Sequence, residues 1–151
     1  MLFLQTNAVA NALNSQEWVF PAAEIFHIVG FGVSIGTIAV VDFTLMGVGL
    51  QRKSTSQLLR QLAPWTLTAL TIVVIAGILL FLTMPLDYYR NPSFRFKIIS
   101  LFLAIVFNYT IHNKVARSDN VSLGVSIPVA LISLALWVCV IWGGLFIAFV
   151  G

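Results

Sequence analysis

Long apolar stretches separated by short polar segments dominate the chain. Four of them, residues 21–50, 64–85, 94–115 and 121–150, reach the roughly 20 helical residues that a ~30 Å hydrocarbon core requires. Unpaired backbone groups are costly in lipid, and the stretches show no two-residue alternation, so they are predicted to be helices and not strands. Short connections favour antiparallel neighbours. The predicted fold class is therefore all-α, an integral membrane four-helix up-down bundle.

The connecting segments, prolines and glycines refine this prediction of four helices. Residues 51–61, 84–93 and 113–120 are predicted connections. Pro21 and Pro64 are predicted to lie in first helical turns. Backbone N–H groups have no intrahelical acceptor there, so the N–H that proline lacks costs no hydrogen bond. Gly143 and Gly144 predict close helix packing near the end of the fourth helix. Residues 1–16 lack the basic region of a signal peptide and are predicted to form an N-terminal interfacial segment. Residues 17–151 are predicted to form a single four-span transmembrane domain.

Composition narrows the possible functions. The chain is 60% hydrophobic and 9% charged, with a mean hydropathy of +1.01. Soluble domains carry about 25% charged residues, which excludes soluble enzymes, nucleic-acid binders and disordered chains. The lipid bilayer is the expected partner. The single cysteine, Cys139, excludes an internal disulfide. No nucleophile motif or phosphate loop occurs, so the chain is expected to be at most an electron-transfer component and not an independent enzyme.

The basic residues predict an orientation, because cytoplasmic loops are enriched in Lys and Arg. The first and third connections carry more of them than the second, and the N-terminal segment and the C-terminus carry none. The first and third connections are therefore predicted to be cytoplasmic, with both termini outside. The residues counted are Arg52, Lys53, Arg60, Lys114 and Arg117 against Arg90, Arg95 and Lys97.

Ionisable and polar residues inside the first and third helices carry the functional signal. At 100° per residue, those of each helix fall on one face. Such groups are expensive in lipid and face a protein interior, a cavity or a cofactor. Because the two helices run in the same direction, two clusters are predicted, one at each side of the membrane. The outer cluster contains Glu24, His27, Lys97 and Ser100, and the inner cluster contains Asp42, Asn108 and His112.

Two histidines within predicted membrane helices indicate haem b as a candidate cofactor, because histidine is a common axial ligand of haem iron. The chain would then be a cytochrome-b-like electron-transfer protein or redox subunit. His27 is the primary candidate ligand and His112 a second one. The two lie roughly 25 Å apart along the membrane normal, which argues against one haem held by both histidines of one chain. Each could instead bind its own haem, with a second ligand from another subunit or none. Lys97 and Arg95 are then candidates to pair with the propionates.

Three other interpretations stay open. Glu24 and His27 lie on one helical face and could bind a metal such as copper, although two ligands are an incomplete site. The two clusters could instead conduct protons, copper or another ion. The third is a structural accessory subunit of a membrane complex or homo-oligomer, because Gly32 and Gly36 form a G-x-x-x-G spacing that lets another helix approach.

Purely structural roles for the polar residues are equally compatible with the pattern. His27 could hydrogen-bond a carboxylate or a backbone carbonyl. Glu24 and Lys97 could form an interhelical ion pair. The candidate partners of Asp42 in this interpretation are Lys53, Arg117 and Asn108.

Several motifs of the chain match known membrane proteins: Glu24-Ile-Phe-His27-x2-Gly30, Gly36, Asp42-Phe-Thr-Leu-x-Gly47, Gly77 and Phe96-Lys97-x2-Ser-x3-Ala104-x3-Asn108. With these motifs the chain resembles a family of small, uncharacterised four-helix bacterial inner-membrane proteins, which implies a multi-pass inner-membrane protein. More distantly, His27 followed by Gly36 and the Lys97–Asn108 helix are similar to the membrane domain of copper resistance protein D. That distant resemblance implies a copper or haem connection, although no methionine- or histidine-rich copper-gathering segment accompanies it.

Overall fold

In a computed structural model of the chain, described for residues 15–48, 54–118, 121–147 and 149, every regular element is helical. The predicted N-terminal interfacial segment lies almost wholly outside the described residues. The helices are α1 (Val19–Leu45), α2 (Thr55–Thr83), the short α3 (Pro85–Arg90), α4 (Pro92–Ala116) and α5 (Leu123–Phe146). All but α3 are long and apolar enough to cross a bilayer, which indicates a multi-pass membrane protein.

The start of α2 corrects the predicted boundary at residue 64. The helix begins nine residues earlier, at Thr55, and the Ser54 side chain caps it by accepting from the Gln57 N–H. The hydropathy pattern missed this first segment because only one of its faces is buried, through Ser56, Leu58 and Leu59. Pro64 is consequently inside the helix and not in its first turn.

The other boundaries differ by a few residues. The first helix ends at Leu45 and not at residue 50, and Gly47 follows it with a positive φ of 80°. The fourth helix ends at Phe146 and not at residue 150. Helix α4, which corresponds to the third predicted helix, contains one π-helical turn, Asn108–His112, that the sequence pattern did not predict. The predicted connection 84–93 contains α3.

The helices pack mainly as two pairs. The most extensive contacts join α1 to α2 and α4 to α5, and α1 also packs against α5. By contrast, α2 meets α4 chiefly at Asn113–Ala116. The outer surfaces of the long helices are apolar and exposed, as in helices that face lipid. The bundle therefore has a close-packed side and a side at which α2 and α4 diverge.

Gly143 sets the distance between α4 and α5 at one end of the bundle. A Cβ built on it would lie 3.0 Å from the N, Cα and Cβ atoms of Lys97. The predicted close packing at Gly143 is thus confirmed. Gly32 and Gly36 have no atom within 4 Å of such a Cβ, so the G-x-x-x-G spacing serves no helix contact within the described residues. Its use by another subunit stays a prediction.

We expect Gly143→Ala to lower the free energy of unfolding by about 1–2 kcal/mol, because its methyl group would overlap the Lys97 backbone. Gly144→Ala is the matched control, since its methyl would lie 3.5 Å from the flexible Lys97 Nζ and would add helix propensity. Thermal unfolding in mild detergent, followed by circular dichroism, measures both. Equal stability of the two variants would contradict the close contact.

Candidate functional site

The structure brings the predicted polar residues together in two pairs between α1 and α4. His27 lies beside Lys97 and Asp42 beside His112, and both pairs span 70 positions of the chain. Because the residue further along α1 contacts the residue further along α4, the two helices run in the same direction. His27 and Asp42 are fifteen residues apart, which separates the pairs by about 22 Å along α1.

A buried network surrounds Asp42. Its Oδ1 lies 2.7 Å from His112 Nε2, and its Oδ2 accepts a hydrogen bond of 2.8 Å from Ser133 Oγ. Exposure of the three residues is at most 1%. Each comes from a different helix, so the network ties α1, α4 and α5 together. A buried carboxyl group requires such partners because water cannot solvate it.

These partners of Asp42 correct the predicted ones. Arg117 is exposed and Asn108 makes no hydrogen bond to Asp42 within the described residues, while Lys53 lies outside them. Sequence analysis missed Ser133. It lies seven residues after Ser126, so both fall on one face of α5, and both are buried. That spacing of small polar residues was the available signal.

Polar atoms remain unpaired beside this network. Neither His112 Nδ1 nor the Asn108 Nδ2 amide has a hydrogen-bond partner among the described residues, although both are buried. The two residues begin and end the π-helical turn of α4. Single π-helical turns are rare and occur frequently at functional sites. Together these features make the inner cluster the stronger candidate site.

The outer pair has a defined hydrogen-bond pattern. The Val73 carbonyl can only accept, so His27 Nδ1 carries a proton and donates to it over 2.9 Å. In the neutral imidazole, Nε2 then accepts from Lys97 Nζ at 3.2 Å. The alternative in which His27 bonds a backbone carbonyl is therefore confirmed. Gly77 makes room for the ring, since a Cβ there would lie 3.1 Å from His27 Cε1.

Other residues of the predicted outer cluster do not join this pair. Glu24 is exposed, and no Glu24–Lys97 ion pair occurs in the part of the chain that is described. Burial and the charge of Glu24 instead raise the pKa of Tyr88 in α3. Arg95 is exposed, and Ser100 is buried without a hydrogen bond to either residue of the pair.

An apolar layer separates the two pairs. Trp137 is its largest member and is 2% exposed. It packs edge-on against Phe31, which stacks on His27. On α1 and α4 the layer residues Ile38 and Ala104 lie between the residues of the outer and inner pairs. Its buried residues are Ile38, Leu70, Ala104, Trp137 and Val140.

The inner network borders a cavity of about 260 Å³. Asn108 and His112 line it, together with apolar side chains of α1 and α2 and with Arg117. Metal ligation has less support, because the described residues contain no group of three or more His, Cys, Asp or Glu side chains that could hold an ion.

Comparison with known proteins found no matching family model, curated protein or solved structure. The geometry of the two pairs therefore carries the functional argument.

Proposed function

We propose that this chain is a bacterial inner-membrane protein that translocates protons, with Asp42 as the central proton-carrying group. The observation that carries the proposal is the fully buried Asp42–His112–Ser133 network. Ionisable groups inside a membrane domain are costly, and proton relays are among their common roles.

The chemistry needs no cofactor. When Asp42 is ionised, the His112 N–H donates to Oδ1; when the carboxyl group is protonated, it can donate to a neutral His112 Nε2 in return. One proton thus shifts across a 2.7 Å hydrogen bond without moving either helix. Ser133 donates to the other carboxyl oxygen and keeps the group oriented. The unpaired His112 Nδ1 is the position from which a proton can leave or enter.

The outer pair supplies the second step. The imidazole of His27 and the amine of Lys97 are groups that can bind and release protons, and they lie about 22 Å from Asp42 along the bundle. The apolar layer around Trp137 prevents a permanent chain of water molecules between the pairs. Transfer then requires the layer to open transiently, which makes the protein a gated carrier and not an open pore.

The membrane arrangement belongs to the same proposal. The helices form an up-down bundle in the inner membrane, and the excess of Lys and Arg in the first and third connections favours both termini on the periplasmic side. His27 and Lys97 then lie towards the periplasm, and Asp42 and His112 towards the cytoplasm.

Haem b ligation remains a prediction that the geometry favours less. An axial ligand needs a free imidazole nitrogen, whereas both nitrogens of His27 have partners, Val73 and Lys97. Haem at His27 would require Lys97 to move away. His112 offers only Nδ1, which is enclosed beside Asn108. Electron transfer is therefore the weaker candidate.

Proton flux into proteoliposomes tests the proposal, driven by a potassium diffusion potential and followed with an enclosed pH-sensitive dye. We expect Asp42→Asn to reduce the flux at least about tenfold, because an amide keeps the size of the side chain but cannot exchange the proton. Asp87→Asn is the matched control, since Asp87 is exposed in α3, and its flux should equal that of the unsubstituted protein.

Two results would refute proton translocation through Asp42. One is flux no greater than in protein-free liposomes. The other is equal flux for Asp42→Asn and Asp87→Asn in samples with matching thermal unfolding.

A further inference from the structure

A cavity of about 260 Å³ lies between α2 and α4, where these helices pack chiefly near Asn113–Ala116. The residues of α2 that line it extend from Leu59 to Leu67, a rise of about 12 Å along the helix. Leu67 and Tyr109, on the two sides of the opening, are 57% and 44% exposed. The cavity is therefore elongated along the helices and opens sideways, in the direction of the lipid.

The lining of this cavity is mostly apolar. The Thr37 and Thr66 hydroxyl groups are bonded to each other over 2.8 Å. The unpaired nitrogen atoms of Asn108 and His112 are enclosed by the protein and do not open into the cavity. The lining therefore favours a hydrocarbon chain, which gains van der Waals contacts and needs no hydrogen-bond partner. The apolar residues that line the cavity are Ile38, Val41, Leu59, Ala63, Pro64 and Leu67.

Basic side chains surround one end of the cavity. Arg117 lines it, and Lys114 precedes Arg117 by one turn of α4. Arg60 precedes the lining residue Ala63 by one turn of α2, so both lie on the same face of that helix. All three basic side chains are exposed, and none forms an ion pair with an acidic side chain in the described part of the chain. An anionic group at this end would therefore meet several cations.

The connections at this end of the bundle are also basic. Leu45, Leu59 and Ala116 share one buried cluster, so the end of α1, the start of α2 and the end of α4 lie together. The first and third predicted connections adjoin these helix ends and contain five basic residues against one acidic residue, Asp119. Charge alone would attract any anion. The apolar cavity beside it restricts the ligand to one that joins an anionic group to a hydrocarbon chain.

We propose that this cavity binds one acyl chain of an anionic phospholipid, whose phosphate group is held by Arg60, Lys114 and Arg117. A phospholipid joins a hydrocarbon chain to a phosphate group, aligns that chain with the helices and reaches the opening from within the bilayer. A headgroup with net negative charge is preferred over a zwitterionic one, because Lys and Arg at a membrane surface attract anionic lipids. The inference concerns a lipid ligand and does not require proton translocation.

Native mass spectrometry of the full chain tests this, with the protein released from micelles that contain equal amounts of phosphatidylglycerol and phosphatidylcholine with the same acyl chains. We expect one phosphatidylglycerol to be retained per chain, at least about tenfold in excess over phosphatidylcholine. Arg117→Gln should weaken the binding of phosphatidylglycerol about fivefold, because it removes one cation from the headgroup. Arg90→Gln is the matched control, since Arg90 is exposed in α3, and it should bind like the unsubstituted protein.

A second pair of variants tests the cavity separately from the charge. Ala63 is exposed at the edge of the cavity, so the ring of Ala63→Phe should fill the space and abolish the retention of phosphatidylglycerol. Ala135→Phe is the matched control, because it adds the same ring to the exposed face of α5 and should leave retention unchanged. Samples with matching thermal unfolding are compared.

The outcomes separate this site from the proton function. Equal retention of the two lipids by the unsubstituted protein would overturn the anionic lipid site, as would equal retention by Ala63→Phe and Ala135→Phe. A lipid-free dimer that Ala63→Phe dissociates would also overturn it, because a second copy of the chain would then occupy the cavity. None of these measurements involves proton flux, so they and the Asp42→Asn comparison can fail independently.

Discussion

Replacing Asp42 and His112 by leucine, singly and together, should give strongly non-additive losses of stability. Each single variant is expected to lower the free energy of unfolding by about 3 kcal/mol. Among the described residues, Asp42→Leu leaves the buried His112 without a hydrogen-bond partner, and His112→Leu leaves the carboxyl group with Ser133 alone. Breaking a buried pair from one side leaves a desolvated polar group behind, which costs more than the pair contributes.

The double variant removes both orphaned groups at once. We expect it to lose about 3 kcal/mol in total and not the ~6 kcal/mol of two independent losses, a coupling within the range of directly bonded residues. Asp87→Leu controls for the loss of an acidic side chain and should change stability by less than about 0.5 kcal/mol.

Reversible unfolding in mixed micelles with increasing sodium dodecyl sulfate, followed by circular dichroism, gives the three free energies. Additive losses would show that Asp42 and His112 do not stabilise the bundle as a pair. The measurement does not depend on proton flux, so it tests the buried network separately from its proposed function.

The sequence predicted the two polar clusters but not the pairs within them. Helical periodicity and depth were sufficient to group His27 with Lys97 and Asp42 with His112, because polar side chains inside lipid must meet across helix interfaces. The pattern of one helix, however, does not reveal which face of a neighbour it meets. Ser133 was missed for this reason, since its hydroxyl group gains significance only where α5 packs against α1.

Local hydropathy did not predict the features that depend on packing between helices. The first turns of α2 are polar on one side and become helical because Leu58 and Leu59 are buried. Pro64 marks the start of an apolar stretch but not of the helix. The cavity between α2 and α4 likewise has no sequence signature, because it results from the divergence of two helices and not from a motif. The four long apolar helices followed from the lengths of the apolar stretches, whereas the site required the helix arrangement.

The largest effect on proton permeability is expected from Trp137→Ala. The indole of Trp137 lies in the apolar layer between the two pairs and packs against Phe31. Ser133, which donates to Asp42, precedes Trp137 by one helical turn. Removing the indole deletes the largest side chain of the layer. Buried Trp→Ala substitutions cost about 3–5 kcal/mol, and the space left here lies one helical turn from Ser133, which donates to Asp42.

Water enters a cavity that offers both room and polar partners, each molecule needing about 30 Å³. We therefore expect the Trp137→Ala protein to leak protons at least about tenfold faster than the unsubstituted protein in the proteoliposome assay. Trp142→Ala is the matched control, because Trp142 is 59% exposed on the outer face of α5 and lies outside the layer. Its flux should stay unchanged.

The direction of the change distinguishes two roles for Trp137. A faster leak identifies the apolar layer as the barrier that gates transfer between His27 and Asp42. A slower flux would contradict that role, because it would show that the indole assists the transfer and does not obstruct it. A water-filled cavity in the layer would conduct protons without the carboxyl group, so the double variant Asp42→Asn/Trp137→Ala should leak faster than Asp42→Asn alone.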